Sequence, residues 1–229
     1  MISAFGGFKP PAFAFLRGLA EAQNREWFQA HKAEYQAHVY APMAALLAEL
    51  GFILHQRGLP LQSDPKRAVF RIHRDVRFSH DKRPYKTHIG AALTRSGVKM
   101  SPGLLYVHID PEGCFAAAGF YRPEPRALAA IRDAIAEAPQ AFAGVTRRLA
   151  GAGLDLSPDE EALKRTPRGF EHVTDAATLD ALRRKSWIVR RKLTRAQVAR
   201  PDLAAPIADF AIAAKPLLDF GWSAVDAGL

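Results

Sequence analysis

The chain has 229 residues, of which 32 are basic and 23 acidic, giving a net charge of +9, and 48% are hydrophobic. This balance excludes a disordered tail, a collagen-like repeat and a disulfide-stapled scaffold, and the length suffices for a large buried core. Cys114 is the one cysteine, so neither an intrachain disulfide nor a cysteine-based zinc site can form. The apolar stretch from Pro11 to Leu16 is too short for a secretory core, and no run of about 18 uncharged apolar residues occurs. The expectation is a soluble cytoplasmic protein with no membrane partner.

Phe5 to Phe8 is an aromatic entry broken by glycines. Pro10 and Pro11 suit a helix start, and Phe13, Leu16 and Ala20 recur at helical spacing. Asn24 is placed to cap a second helix, with Glu26 in its first turn and Trp27, Phe28, His31 and Tyr35 along one side. Pro42 suits another helix start, and Met43, Leu46, Leu47, Leu50 and Leu54 carry an apolar stripe to about Gly58. The pattern then changes. Ala68 to His73 alternates as a strand, and His88–Thr94, Leu104–Asp110 and Cys114–Tyr121 are three more. Asp110-Pro111-Glu112-Gly113 is a hairpin turn, and Ser96–Gly103 is a loop able to close another.

After Tyr121, helices are expected over Pro125–Ala138 and around Phe142, Val145 and Leu149. Gly151–Pro158 reads as a linker, Ala177–Lys185 as a helix, Ser186–Leu193 as a strand or extended segment, and Asp202–Phe220 as a last helix that Pro206 and Pro216 could break. No composition break marks a boundary. The expected fold is one α+β domain over residues 1–229: N-terminal helices, a central antiparallel sheet of about four strands, and C-terminal helices.

The positive charge is concentrated. Residues 64–88 hold eight cations against Asp64, Asp75 and Asp81, and residues 183–200 hold eight with no acid, so the rest of the chain is net negative. Local positive fields attract phosphates, nucleic acid or acidic partners; alone, such a run can also be a solvated face. The densest chemistry runs from Arg71 to Lys86. Arg71, Arg74, Arg77, Lys82 and Lys86 are the candidate anion ligands, since guanidinium groups bind phosphate or carboxylate in bidentate fashion. Asp75 and Asp81 would orient the arginines or handle protons, Tyr85 would donate a hydrogen bond, and His73 is a further acid–base candidate. The competing reading is an ion-pair network fixing the loop, with Asp75 and Asp81 as counterions and Phe78 and Pro84 as packing or turn residues.

Other motifs are weaker. His73-Arg74-Asp75 and Asp219-Phe220-Gly221 match two kinase triplets, but position 80 is His where that loop needs Asn, and there is no Gly-rich loop. No phosphate-binding or dinucleotide fingerprint occurs. His73, His88 and His108 fall on or beside three predicted strands. With neighbouring strands in register, two or three imidazoles would converge with Asp110 or Asp75 as a metal site or an acid–base pair. Register is not legible, histidines in strands usually fill half-buried positions, and neither metal nor cofactor enters the expected site. Cys114 reads as a small apolar strand residue. The loop Leu163–Phe170 could add Arg168 to the same anion site. Arg190, Arg191 and Lys192 are consecutive and cannot all face one way.

The Arg71–Phe78 segment, with Asp81-Lys82 and Tyr85-Lys86, resembles the signature of a bacterial and fungal family of about this length, domain of unknown function 2461. Phe5–Phe8, Asn24–Phe28, Gly119–Glu124 and Leu163–Phe170 share the resemblance, which spans nearly the whole chain. It implies a single unit and no mechanism, substrate or catalytic residue. The residues favour binding of a small phosphorylated or otherwise anionic ligand, with action on that ligand left open. A nucleic-acid surface built from the motif and the Arg183–Arg200 cluster is the alternative. A structural ion-pair network with a partner-protein role is the third reading. Whether the protein is an enzyme, and its oligomeric state, are not legible.

Overall fold

The computed structural model describes residues 4–77 and 81–228. Helices α1 (Pro10–Glu21) and α2 (Arg25–Ala30) start where expected. Pro11 lies in the first turn of α1, and the Asn24 side chain accepts the Trp27 N–H at 2.8 Å to cap α2. The short α3 (Lys32–Glu34) leads through a π-helical segment, Tyr35–Tyr40, into α4 (Ala41–Gln56). The π segment has a local cause. Pro42 has no N–H for the carbonyl four residues back, and the Ala41 N–H bonds one residue further, to Gln36 O. Lys32–Gln56 is thereby one helical run of 25 residues, long and apolar enough by composition to cross a membrane. Its Met43, Leu46, Leu47, Leu50 and Leu54 are wholly buried against the rest of the chain, the position of a core helix.

A four-residue helix α5 (Pro65–Ala68) precedes the sheet, whose strands are β1 (Ile89–Thr94), β2 (Leu104–Ile109), β3 (Cys114–Phe120) and β4 (Trp187–Leu193). They lie in the order β1-β2-β3-β4, all antiparallel. Between β3 and β4 the chain forms α6 (Pro125–Glu137), α7 (Pro139–Gly151) and α8 (Ala176–Arg183). After β4 come α9 (Arg195–Val198), α10 (Ala204–Ala213) and α11 (Lys215–Ala227). Pro216, in the first turn of α11, ends the preceding helix, while Pro206 sits in the first turn of α10 where its missing N–H is harmless.

The fourth strand is not the expected one. Ala68–His73 alternates correctly but forms no strand; Val69 and His73 make only isolated bridges, to Ala91 and Tyr85. The segment opens inside α5, and only its start reaches the sheet, where the Phe70 N–H donates to Gly90 O at 2.8 Å. Ser186–Leu193, open between strand and extended segment, supplies β4 instead. Both outer strands are covered: Gln62 and Val69 bridge to β1, and Leu156 bridges to Val189 of β4. Unpaired edges, which invite association, are thereby covered in part.

One face of the sheet carries Leu105, Val107, Ile109, Ala116, Ala118, Phe120, Trp187 and Val189, all at most 1% exposed. It packs on α4, α10 and α11. Gly221 lets α11 approach β3, since a methyl there would run into the Phe120 ring. One contiguous cluster of buried apolar residues extends from Phe5 to Ala224. The other face of the sheet is partly open, and there the chemistry collects. Because Trp187 is wholly buried, Trp187→Ala is expected to cost about 3–5 kcal/mol of stability. Phe70→Ala, on the unpaired segment, should lose less than half as much. Urea denaturation of the two variants tests the assignment of the fourth strand.

Candidate functional site

The open face follows from period two. His108 pairs with Gly90 on β1 and Phe115 on β3; Tyr106 pairs with Ala92 and Ala117; Ala117 in turn pairs with Arg190 on β4. The side chains of Tyr106, His108, Phe115, Ala117 and Arg190 share the face opposite the core. With Phe70, Lys86, His88, Met100, Leu104, Tyr121 and Ile188 they enclose a cleft of about 410 Å³, within the range of small-molecule sites. A larger and more open hollow of about 770 Å³, lined by α7 and α11 residues such as Gln140, Arg148 and Asp219, holds no such convergence of aromatic and titratable groups.

The cleft is built from stacked rings. His108 lies on Phe115 with centroids 4.6 Å apart, His88 is 4.3 Å from His108, and Phe70 meets Tyr106 edge-on at 5.9 Å. Gly90 makes the arrangement possible: a Cβ there would collide with the Tyr106 hydroxyl. That hydroxyl lies 3.0 Å from His108 Nδ1. The other imidazole nitrogen, Nε2, is 3.6 Å from Asp110 Oδ2, and His88 Nδ1 is 3.8 Å from the same oxygen. Asp110 belongs to the β2–β3 turn, where its Oδ1 accepts the Glu112 N–H at 2.8 Å. Burial pushes the His88 pKa down to about 4, with His108, Lys86 and Arg74 adding to the effect against Asp110. Burial also lowers His108, against the pull of Asp110, and raises Tyr106 to about 12.

Two cations reach the cleft. The Arg190 guanidinium lies 5.1 Å from the Phe115 ring centroid, and the Lys86 Nζ lies 5.7 Å from that of Phe70. Lys99 stands 4.8 Å over the same Phe70 ring and donates to Val69 O at 2.7 Å. Burial lowers the Lys86 pKa, and Arg71 and Arg74 lower it further. Lys99 is lowered by burial, then by Lys86 and Arg71.

The Arg71–Lys86 motif is a loop whose ends are tied together. Arg74 N–H donates to Pro84 O and Lys86 N–H to Ile72 O, each at 2.8 Å. Inside it most charges are paired. Arg77 grips Asp75 through Nε and Nη2 at 3.0 and 2.8 Å. Asp81 pairs with both Arg74 and Arg83, and Lys82 donates to Val76 O at 3.0 Å. Among the described residues, Arg71 and Lys86 are in no ion pair. Tyr85 is 2% exposed, stacked on Phe28 at 4.7 Å, with its backbone N–H bound to Gln23 Oε1. It anchors the loop in the core. His73 lies beside Phe28 and Tyr85, apart from His88 and His108. Phe78 lies outside the described residues. Arg168 is exposed and makes no hydrogen bond or ion pair with the motif among the described residues; the neighbouring Gly169 N–H is taken by Glu171.

The structure thus brings Lys86 from the motif together with His88, His108 and Asp110, and leaves Asp75, Arg77 and Tyr85 elsewhere. Cys114 is buried, and its thiol contacts Asp110 O at 3.4 Å. The second basic run is dispersed: Arg190 lines the cleft, Arg191 lies over Phe210, Arg183 pairs with Asp180, and Arg200 with Asp202. Sequence reasoning missed Tyr106, Phe115 and Met100 as cleft residues. The alternation Tyr106-x-His108-x-Asp110 was the available signal, since these three must share a face of β2 and its turn.

Fold and cleft together define an α+β protein with an aromatic, cation-edged cavity on the open side of a four-stranded antiparallel sheet. The chain belongs to the family described as conserved hypothetical protein (DUF2461), whose model matches residues 11–220. No curated protein and no solved structure matches it.

The Arg77 fork holds the Asp75 carboxyl down at about 2, against an ordinary 3.8. A depressed carboxyl contributes stability above its unfolded pKa and loses it as pH falls through the folded one. A side-chain carbon NMR titration should therefore show Asp75 with a midpoint near 2 in the wild type. In Arg77→Ala the midpoint should return toward 3.8.

Proposed function

We propose that the protein binds a small ligand with an apolar or aromatic body and an anionic group, seated in the sheet-face cleft. The observation that carries this reading is the placement of Lys86. It is a motif cation without a carboxylate partner among the described residues, it is part-buried, and it lines an apolar cleft to which β4 adds Arg190. An enclosed cation without a counterion favours an anion strongly, because the surroundings screen less than water. Phe70, Leu104, Phe115 and Ile188 offer the ligand body apolar contact. The paired arginines of the motif then act at one remove: they fix the loop that presents Lys86. The Tyr106 hydroxyl, which also lines the cleft, is able to donate a hydrogen bond to the bound anion.

A thermal-shift screen at low and high salt tests this, with aryl phosphates, aromatic carboxylates, nucleoside monophosphates, inorganic phosphate and short oligonucleotides. A small aromatic anion should raise the melting temperature in the wild type. Lys86→Ala and Arg190→Ala should each weaken its binding about 10- to 100-fold, the worth of one charge-assisted hydrogen bond. Arg77→Ala, whose charge is spent on Asp75, should bind as the wild type does. Stabilisation by oligonucleotides alone, abolished by moderate salt, would replace this reading with a polyanion surface.

A further inference from the structure

We propose that His88, His108 and Asp110 form a binding site for one divalent first-row transition-metal ion, at the edge of the cleft and open to it. The inference goes beyond the anion-binding reading and stands without it. Register assembles the trio. Asp110 follows His108 by two positions, on the same face. His88 and Asp110 are the next positions outward from the paired Ile89 and Ile109.

Their donor atoms, one from each residue, lie within 4.8 Å of one another, and all three residues are part-buried. Metal–ligand bonds of about 2.0–2.2 Å place donor atoms roughly 3.0–3.5 Å apart. The observed 3.6 and 3.8 Å to Asp110 Oδ2 need only small side-chain rotations to close.

Supporting contacts orient two of the three donors, His108 and Asp110. With His108 Nδ1–H donating to the Tyr106 hydroxyl oxygen, Nε2 presents its lone pair toward Asp110. Metal-bound histidines are generally held by such a second hydrogen bond. The Glu112 N–H occupies Asp110 Oδ1 and leaves Oδ2 for the ion. Phe115, stacked on His108, limits ring rotation. Two imidazoles and one carboxylate are a donor set for zinc, iron(II) or cobalt(II), and three protein ligands leave coordination positions free. His88 and His108 both line the cleft, so those positions face it.

The test is isothermal titration of the full chain, stripped with chelator, using zinc and cobalt(II) chlorides, together with the visible spectrum of the cobalt form. One equivalent should bind with a dissociation constant of about 10 μM or tighter, without a thiolate charge-transfer band, since Cys114 is not a donor. His108→Ala and Asp110→Asn should each weaken binding by about 100-fold or more, and Tyr106→Phe by about 10-fold. Circular dichroism and urea midpoints establish that each variant is folded. His73→Ala should bind metal as the wild type does, and Lys86→Ala, which removes a like charge beside His88, should bind it at least as tightly, so loss of anion binding in Lys86→Ala would leave this site intact. Absence of saturable binding in the wild type would overturn the proposal. So would binding that survives unchanged in the folded His88→Ala/His108→Ala double variant, which would place the ion elsewhere.

Discussion

The register of β1 against β2 is the constraint on which the open face depends. With Ile89 opposite Ile109, Leu93, Leu105, Val107 and Ile109 turn to the helices, and Gly90, Tyr106 and His108 turn away from them. A slip of one residue would exchange the two faces of β1. It would also replace Gly90 beneath the Tyr106 hydroxyl with a residue bearing a side chain, where even a methyl collides. The core enforces the register, because Leu93, Leu105, Val107 and Ile109 are all wholly buried on the helix side. Apolar packing on one side of the sheet thus determines the geometry of polar groups on the other. The β2–β3 turn finishes the arrangement by fixing Asp110 through its bond to the Glu112 N–H.

Much of this architecture is legible along the chain. Prolines mark the starts of α1, α4, α6, α7 and α11 because a missing N–H is harmless only in a first turn. The Asp110–Gly113 hairpin, β2 and β3 are legible from turn chemistry and alternation. The segment from Ala68 to His73 is misleading for a physical reason. Alternation describes how side chains would divide if a partner strand were present, and only a fragment of that partner exists. The π segment needs three-dimensional knowledge of the same kind: Pro42 announces a lost hydrogen bond but not that the helix runs on through a wider turn.

The candidate site divides the same way. The dense charge of the Arg71–Lys86 loop is plain from sequence, and so is its supply of local counterions. The Asp75–Arg77 and Asp81–Arg83 pairs join residues two apart. What sequence does not contain is which cations remain after these pairs form. Asp81 is also taken by Arg74, and Lys86 is set three residues before β1, with its backbone N–H bound to Ile72 O. The histidines illustrate the limit of pattern reading. Three lie on or beside stretches that alternate like strands, and only the pair that flanks the β1–β2 register meets Asp110; His73 belongs to an aromatic cluster around Phe28.

The balance of charge around the cleft bears on the proposed ligand. Burial lowers the pKa of Lys86 and of Lys99, and repulsion adds to it, from Arg71 and Arg74 at Lys86 and from Lys86 and Arg71 at Lys99. Such repulsion disfavours the charged form of both lysines. The nearby acids Asp75 and Asp81 do not relieve it fully, since each is held by its own arginine fork. An anion in the cleft would offset that repulsion at Lys86 and draw the Lys86 pKa back up. A metal ion on His88, His108 and Asp110 would add positive charge to the same wall and deepen the preference for an anion. The two proposals are therefore coupled in sign, although each rests on different atoms: the one on Lys86 and Arg190, the other on two imidazoles and a carboxylate held in place by the sheet.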